Sequence, residues 1–493
     1  MKKVGEAVKK YFSDKNLYIF LAVTILFFGI FFAVQYAPDT YSVFTTELNA
    51  MVEHFFSCGR YITGIALYII KGIFGTSNET VYALSYIFAI ICSTLSLYEL
   101  NKILGKEISN KFICMLVTIL LIINPFSLEM FFYVEKGIMM LSILLCVLAV
   151  KEIIKYFEGN KKAIIPALIL MFIANCCYQG TVGLVVAISL IYIVKYSKNI
   201  KDFIINNIVV ALVYGIPAVL NFITIRLFFS NSRVSGEVNL SESLSKILTG
   251  TKRMLVDTYD ILPHFLFLAA IAIVLIVLIY KLVTEIKENK ARILLALGAI
   301  YIIAGTMFAT IAPQIMQATD SIWFVARSSY PAATLLGLLI AYLFMNFKFN
   351  NVENIIIEIL MILFLVVQYI CFSTFMIDNY IGGYKDKEIA LQIKDLITEY
   401  EEKTGNTIDT ISIYHDSNMQ YVYPGLSVSG DMNIKAYSAD WCVPQILKFY
   451  IGRDFKVVKN DEQIEEEFSQ NNWEYFDKEQ VIFRNNVMNL CVF

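Results

Sequence analysis

Acids and bases gather where the apolar runs of this chain end. Asp39 follows the run Leu17–Tyr36, with Pro38 stiffening the approach to it. Glu47, Glu53 and Arg60 come next, then Glu129, Glu135 and Lys136, then Asp320 and Arg327. The turn Tyr178-Gln179-Gly180 adds a phenol and an amide between two apolar runs. Charges beside hydrocarbon are costly, about 2.5 kcal/mol or more each, so residues kept there mark polar cavities. A carboxylate fixed at a helix end suits removal of a proton from a hydroxyl. Guanidinium groups suit phosphate, because their planar fork binds two oxygens. Together these types predict one polar pocket where a hydroxyl attacks a centre whose leaving group is a phosphate held by cations. Asp39 is the expected base. Arg60, Arg327 and Lys136 are the expected phosphate contacts, and Glu47, Glu129, Glu135, Tyr178, Gln179 and Asp320 the expected pocket.

Bland readings stand beside these. Asp39 also reads as a cap for a surface helix beginning near Ser42. Arg60 and Arg327 also read as interfacial anchors. Glu129 and Glu135 also read as solvated loop acids, and Lys136 as the neutraliser of Glu135. Arg233, Lys252 and Arg253 lie in a long loop and read as a solvated face. His54, His264 and His415 are far apart and show no metal-ligand spacing, so no metal or other cofactor is expected.

The elements that must hold these residues are helical and apolar. Of 493 residues, 58% are hydrophobic and 17% charged, whereas a soluble domain has about 25% charged residues. The chain therefore reads as an all-α polytopic membrane protein. Eleven spans are expected near 17–36, 80–100, 112–132, 137–150, 163–178, 181–194, 203–229, 264–280, 293–311, 331–346 and 354–376. The first lacks a small-residue cleavage site and is expected to be retained. Lysines at 2, 3, 9, 10 and 15 and in the loops near 102–111, 151–162, 195–201 and 281–292 set the cytoplasmic side. Residues 163–194, flanked by lysines on both sides, divide into two short helices of about 24 Å each. Residues 41–75 hold two membrane-hugging helices, Ser42–Phe56 and Tyr61–Phe74, with the bend at Gly59-Arg60. The net charge of −2 gives no argument for a nucleic-acid partner, and none is expected.

Residues 1–376 thus form the membrane domain and 378–493 a small extracytoplasmic α/β domain. Within the latter, Lys385–Lys403, Cys442–Tyr450 and Glu462–Phe468 read as helices. Thr410–Tyr414 and Phe455–Val458 read as strands, and the end as a hairpin turning at Asn485-Asn486. A docking or lid role is expected for this domain. Cys442 and Cys491 lie in it and either pair or stay free.

The order of short motifs resembles the Gtr-type bacterial glucosyltransferases, which decorate O-antigen and related surface glycans and belong to the GT-C class. The motifs are Asp39 after the first span, then Cys58-Gly59-Arg60; Asn124-Pro125-Phe126 with Glu129; Tyr178-Gln179; and Arg327 before the tenth span. They are spread over roughly residues 17–376. The resemblance implies a GT-C-like fold in the bacterial plasma membrane. It implies inverting transfer of a sugar, with glucose the expected one, from an undecaprenyl-phosphate-linked donor to a surface or lipid-linked glycan. It also implies Asp39 as base, no nucleotide-sugar site, and dependence on a separate donor synthase and flippase. Members often carry two adjacent acids after the first span; here Thr40 follows Asp39, which leaves open whether Glu47 or Glu53 shares the acidic work. Two rivals remain at this stage. One is a glycan polymerase or ligase using a diphosphate-linked donor, although its large late loop is lacking. The other is a flippase of lipid-linked sugars, for which Arg226 is the main charge inside a span.

Overall fold

The computed structural model describes residues 13–229, 237, 239–315, 317–416 and 420–492. The lysines at 2–10 and Arg233 fall outside the described residues. The chain is mostly helical and divides into two compact units. The first comprises residues 1–32, 52–131 and 135–372, and the second residues 33–51, 132–134 and 373–493.

Among the described residues, eight helices are long and apolar enough to cross a membrane: Lys15–Phe32, Asn78–Leu104, Lys136–Phe157, Gln179–Tyr196, Ile200–Phe228, Leu266–Glu285, Asn289–Ile315 and Asn351–Thr404. The expected spans at 112–132, 163–178 and 331–346 fall on shorter helices, Lys111–Ile122, Ile164–Cys177 and Leu335–Asn346. Helices of 12 to 14 residues reach only about 18–21 Å. Lys111–Ile122 stops early because the Asn124 amide donates to the Leu121 carbonyl (3.2 Å) and its oxygen accepts from the Phe126 N–H (3.0 Å). The backbone then turns into the short helix Ser127–Met130.

Within the first unit, Asn78–Leu104 packs on Lys136–Phe157, which packs in turn on Ile164–Cys177. Gly183–Tyr196 lies against Asn289–Ile315, and Ile164–Cys177 against Ile200–Phe228. The buried Tyr330 hydroxyl donates to the Ile122 carbonyl (2.8 Å) and the Gln368 amide to that of Ile123 (2.6 Å). The main-chain groups freed at this helix end are thus met from distant helices, as hydrocarbon demands.

The second unit contains a four-stranded sheet in the order β2-β1-β4-β3. Its strands are β1 (Thr410–His415), β2 (Lys456–Val457), β3 (Val481–Arg484) and β4 (Val487–Val492). β1 is parallel to β2 and β4, and β3 is antiparallel to β4. The β3–β4 hairpin turns at Asn485 and Asn486, both at positive φ (54° and 61°), the conformation a two-residue hairpin turn requires. Helices Val443–Ile451 and Glu462–Ser469 complete the expected pattern. The junction expected at 376–378 lies inside one unbroken helix, Asn351–Thr404. Asp378 accepts the Ser427 N–H there (2.8 Å), so the polar residue is met without a break. Cys442 and Cys491 are buried free thiols.

Also in this unit is the eight-residue helix Pro38–Thr45. Proline at its start supplies a preset φ. The helix ends at Thr46, whose backbone is extended, and a second helix, Leu48–Ser57, follows. The expected surface helix 42–56 is therefore two helices, with a start earlier than Ser42.

Candidate active site

The first unit draws six of the singled-out residues into one cluster. Its backbone frame is the bend at Cys58-Gly59-Arg60. Gly59 has φ +71°, and a Cβ there would lie 2.5 Å from the Asn221 Oδ1, so glycine alone fits. The Gly59 carbonyl accepts from the Gln179 side-chain amide (3.1 Å) and from that of Asn221 (3.1 Å). Gln179 also donates to the Cys58 carbonyl (3.1 Å), and Asn221 to that of Asn175 (3.3 Å). Three helices thereby fix the point from which the Arg60 side chain leaves.

The Arg60 guanidinium lies 4.8 Å from the centre of the Tyr178 ring and 3.5 Å from the Glu135 carboxylate. Tyr178 is held by its own carbonyl, which accepts from the Ser142 (3.2 Å) and Thr181 (3.1 Å) hydroxyls. On the other side, Arg327 pairs with Glu129 through its guanidinium, and its backbone N–H donates to the second Glu129 oxygen (2.7 Å). Glu129 is 1% exposed. It sits on the helix Ser127–Met130 that Asn124 sets up, and Phe126 packs edge-on against Tyr259. Tyr259 shares a 2.7 Å hydrogen bond with Ser329, two residues past Arg327. Gly180 lets the Tyr178 turn approach the Arg327 carbonyl; a Cβ there would lie 2.9 Å from it.

Tyr178 thus stands between two ion pairs. Burial raises its phenol above the ordinary range, against the pull of Arg327 and Arg60, with Glu129 and Glu135 adding to the rise. The phenol stays protonated and can donate a hydrogen bond. Two guanidinium groups, two carboxylates, a phenol and an amide in one partly buried place can bind an oxyanion and a polyhydroxyl group together.

The other expected residues stand elsewhere. Lys136 is fully buried, with its ammonium 3.6 Å from the Tyr82 ring centre and 5.4 Å from that of Phe31. Asp320 is almost wholly exposed, 3.7 Å from Lys246. Arg253 lies 3.5 Å from Asp260. Arg226 is exposed.

In the second unit, Asp39 is exposed in the first turn of Pro38–Thr45, inside the helix and not at its cap. Glu47 is exposed and accepts from the Asn49 amide (3.2 Å). The helix bearing Asp39 is gripped by Val443–Ile451. Phe449 packs among Tyr36, Tyr41 and Phe44. The Tyr41 and Tyr450 hydroxyls meet at 3.2 Å, Thr45 donates to Gln445 (2.5 Å), and the Cys442 thiol donates to the Pro38 carbonyl (3.7 Å).

Asn175 and Asn221 were not among the residues singled out from the sequence. Their signal was present: each is an amide inside an apolar helix, where burial is costly without a partner.

A family model described as glucosyl transferase GtrII matches residues 48–345. That stretch contains the whole Arg60–Arg327 cluster and begins after Asp39 and Glu47. No curated protein and no solved structure matches the chain.

Proposed function

The chain belongs to the GtrII glucosyl transferase family, and from that premise we propose that it moves glucose from an undecaprenyl-phosphate-linked donor to a glycan on the outer face of the bacterial plasma membrane. The observation that carries this reading is the Arg60–Tyr178–Arg327 cluster in a chain of membrane-length helices. A nucleotide-sugar dissolves in water, whereas a lipid-linked sugar phosphate must be met at the membrane surface by cations. Asp39 takes the proton of the acceptor hydroxyl. The hydroxyl oxygen attacks the anomeric carbon from the side opposite the phosphate, the carbon–oxygen bond to phosphate breaks, and the configuration inverts. Arg60 takes the charge that develops on the departing phosphate, with Arg327 adding positive potential. Glu135 and Gln179 hold the sugar hydroxyls. The acceptor is a surface or lipid-linked glycan, and a separate synthase and flippase supply the donor.

The test uses the purified full chain, a synthetic polyprenyl-phosphate glucose and an acceptor glycan extract. Sugar transfer is expected, and a diphosphate-linked donor is expected to be inert. Asp39→Asn should lower the transfer rate by roughly 10²–10⁴-fold, the usual span for a general base, with donor binding kept. Wild-type transfer by a folded Asp39→Asn protein would remove Asp39 from this role and direct the search to Glu47 or Glu53.

A further inference from the structure

Beside the Arg60 bend, the first unit contains a cavity of about 250 Å³. Its lining has two characters. Arg60, Gln179, Asn175 and Asn221 form one part, Cys58, Tyr214 and Gln317 add a thiol, a phenol and an amide, and the remainder is hydrocarbon. Ala218 and Phe222 come from Ile200–Phe228, and Ala312 and Pro313 from Asn289–Ile315. Small side chains on both helices leave the room: Gly215 also lines it, and a Cβ added there would meet nothing within 4 Å.

The polar part is under-satisfied. The Glu135 carboxylate is 3.5 Å from Arg60 Nη1, longer than the 2.7–2.9 Å typical of a charge-assisted hydrogen bond. Arg60 Nε is buried without a hydrogen-bond partner among the described residues, as is Asn221 Oδ1. Buried polar atoms in that state are costly: an anion would relieve the Arg60 Nε donor, and a hydroxyl would serve the Asn221 Oδ1 acceptor. The apolar part needs a different ligand group. A ligand that satisfies both is an amphiphile with an anionic head. At 250 Å³ the cavity falls below the roughly 300–1,000 Å³ of pockets that enclose a whole small molecule. It suits a phosphate and the first segment of a chain. The rest of that chain has surfaces to follow, because Ile216, Leu220 and Ile223 on one helix and Phe308 and Ile315 on the other are exposed.

We propose that this cavity holds the phosphate end of a long-chain polyprenyl phosphate, with Arg60 on the phosphate and the chain leaving between Ile200–Phe228 and Asn289–Ile315. The assignment rests on the lipid-donor reading above and adds to it the place and the direction of entry. Arg327, already engaged by Glu129, acts on this phosphate only through its field.

The full chain in lipid nanodiscs is exposed separately to a diazirine-bearing polyprenyl phosphate and to a diazirine-bearing phosphatidic acid, and labelled peptides are mapped. The polyprenyl probe is expected to label residues within 212–225 and 308–317. Arg60→Gln should weaken that labelling about tenfold, the loss of one charge-assisted contact. Ala218→Trp, which fills the apolar wall, should abolish it while thermal melting stays near wild type. Labelling confined to other helices, equal labelling in Arg60→Gln, or labelling by phosphatidic acid that unlabelled polyprenyl phosphate fails to displace each overturns the assignment. So does undiminished glucose transfer in a folded Ala218→Trp protein, which leaves the glucosyltransferase reading standing. Specific labelling of this cavity in a protein that transfers no sugar from any lipid donor supports the assignment and removes the reading instead.

Discussion

At the scale of residues, the two ion pairs around Tyr178 differ in kind. Glu129 is almost wholly buried and receives both the guanidinium and the backbone N–H of Arg327. Removing one partner of such a pair strands a buried charge, at a cost of about 3–5 kcal/mol. Glu129→Gln should therefore lower the melting temperature of the detergent-purified protein sharply, and transfer should fall with it. The Arg60–Glu135 pair is looser and partly exposed. Glu135→Gln should leave melting nearly unchanged, so any loss of transfer there reports on substrate. Gly59 offers a third case. A side chain there must hold φ +71° and displace the Asn221 amide, and left-handed backbone alone costs about 1–3 kcal/mol for a residue with a Cβ. Gly59→Ala should raise the donor KM more than it lowers kcat, because it shifts the point from which Arg60 departs.

At the scale of elements, what the sequence disclosed follows the range of the interactions. Apolar runs, lysine-flanked loops and the paired asparagines at Asn485-Asn486 act over a few residues, and the helices and the hairpin stand where those signals lie. Two short helices were expected at 163–194 from its length and its lysine-rich flanks, and two are present with a turn at Gln179–Thr181. The Arg60 and Arg327 neighbourhoods were legible as residues out of place in hydrocarbon, though nothing in the order of residues says that Gln179 and Asn221 clamp Gly59. The grip on Pro38–Thr45 was equally invisible, since Tyr450 and Gln445 lie about 400 positions further on. An eight-residue helix is too short to persist by itself, so this contact sets where Asp39 stands. Phe449→Ala, which empties the ring cluster of Tyr36, Tyr41 and Phe44, should remove up to about 3 kcal/mol of local stability. The expected signature is a fall in kcat with the donor KM unchanged, together with faster amide exchange over 38–45. A rise in the donor KM with kcat unchanged would assign the helix to donor recognition instead.

At the scale of the whole chain, the division into units crosses the order of the sequence. Residues 33–51 and 132–134 belong with 373–493, although most of the membrane-length helices lie between 51 and 373 in the sequence. The second unit therefore lacks a complete core without its N-terminal piece: Tyr41 is wholly buried, and Tyr36 and Phe44 nearly so, against side chains of Val443–Ile451. A chain ending at Thr404 keeps every membrane-length helix but loses that partner. Rings of this size bury about 150–250 Å² each, and exposing three of them favours local unfolding or aggregation. The truncated protein should still insert and still hold the Arg60–Arg327 cluster, whose residues all belong to the first unit. Its signature should be new protease cleavage between residues 37 and 51, absent from the full chain, with labelling by the polyprenyl probe retained and glucose transfer lost. Transfer at the full-length rate would show that the C-terminal residues are dispensable for chemistry, and that helix Pro38–Thr45 finds its place without them.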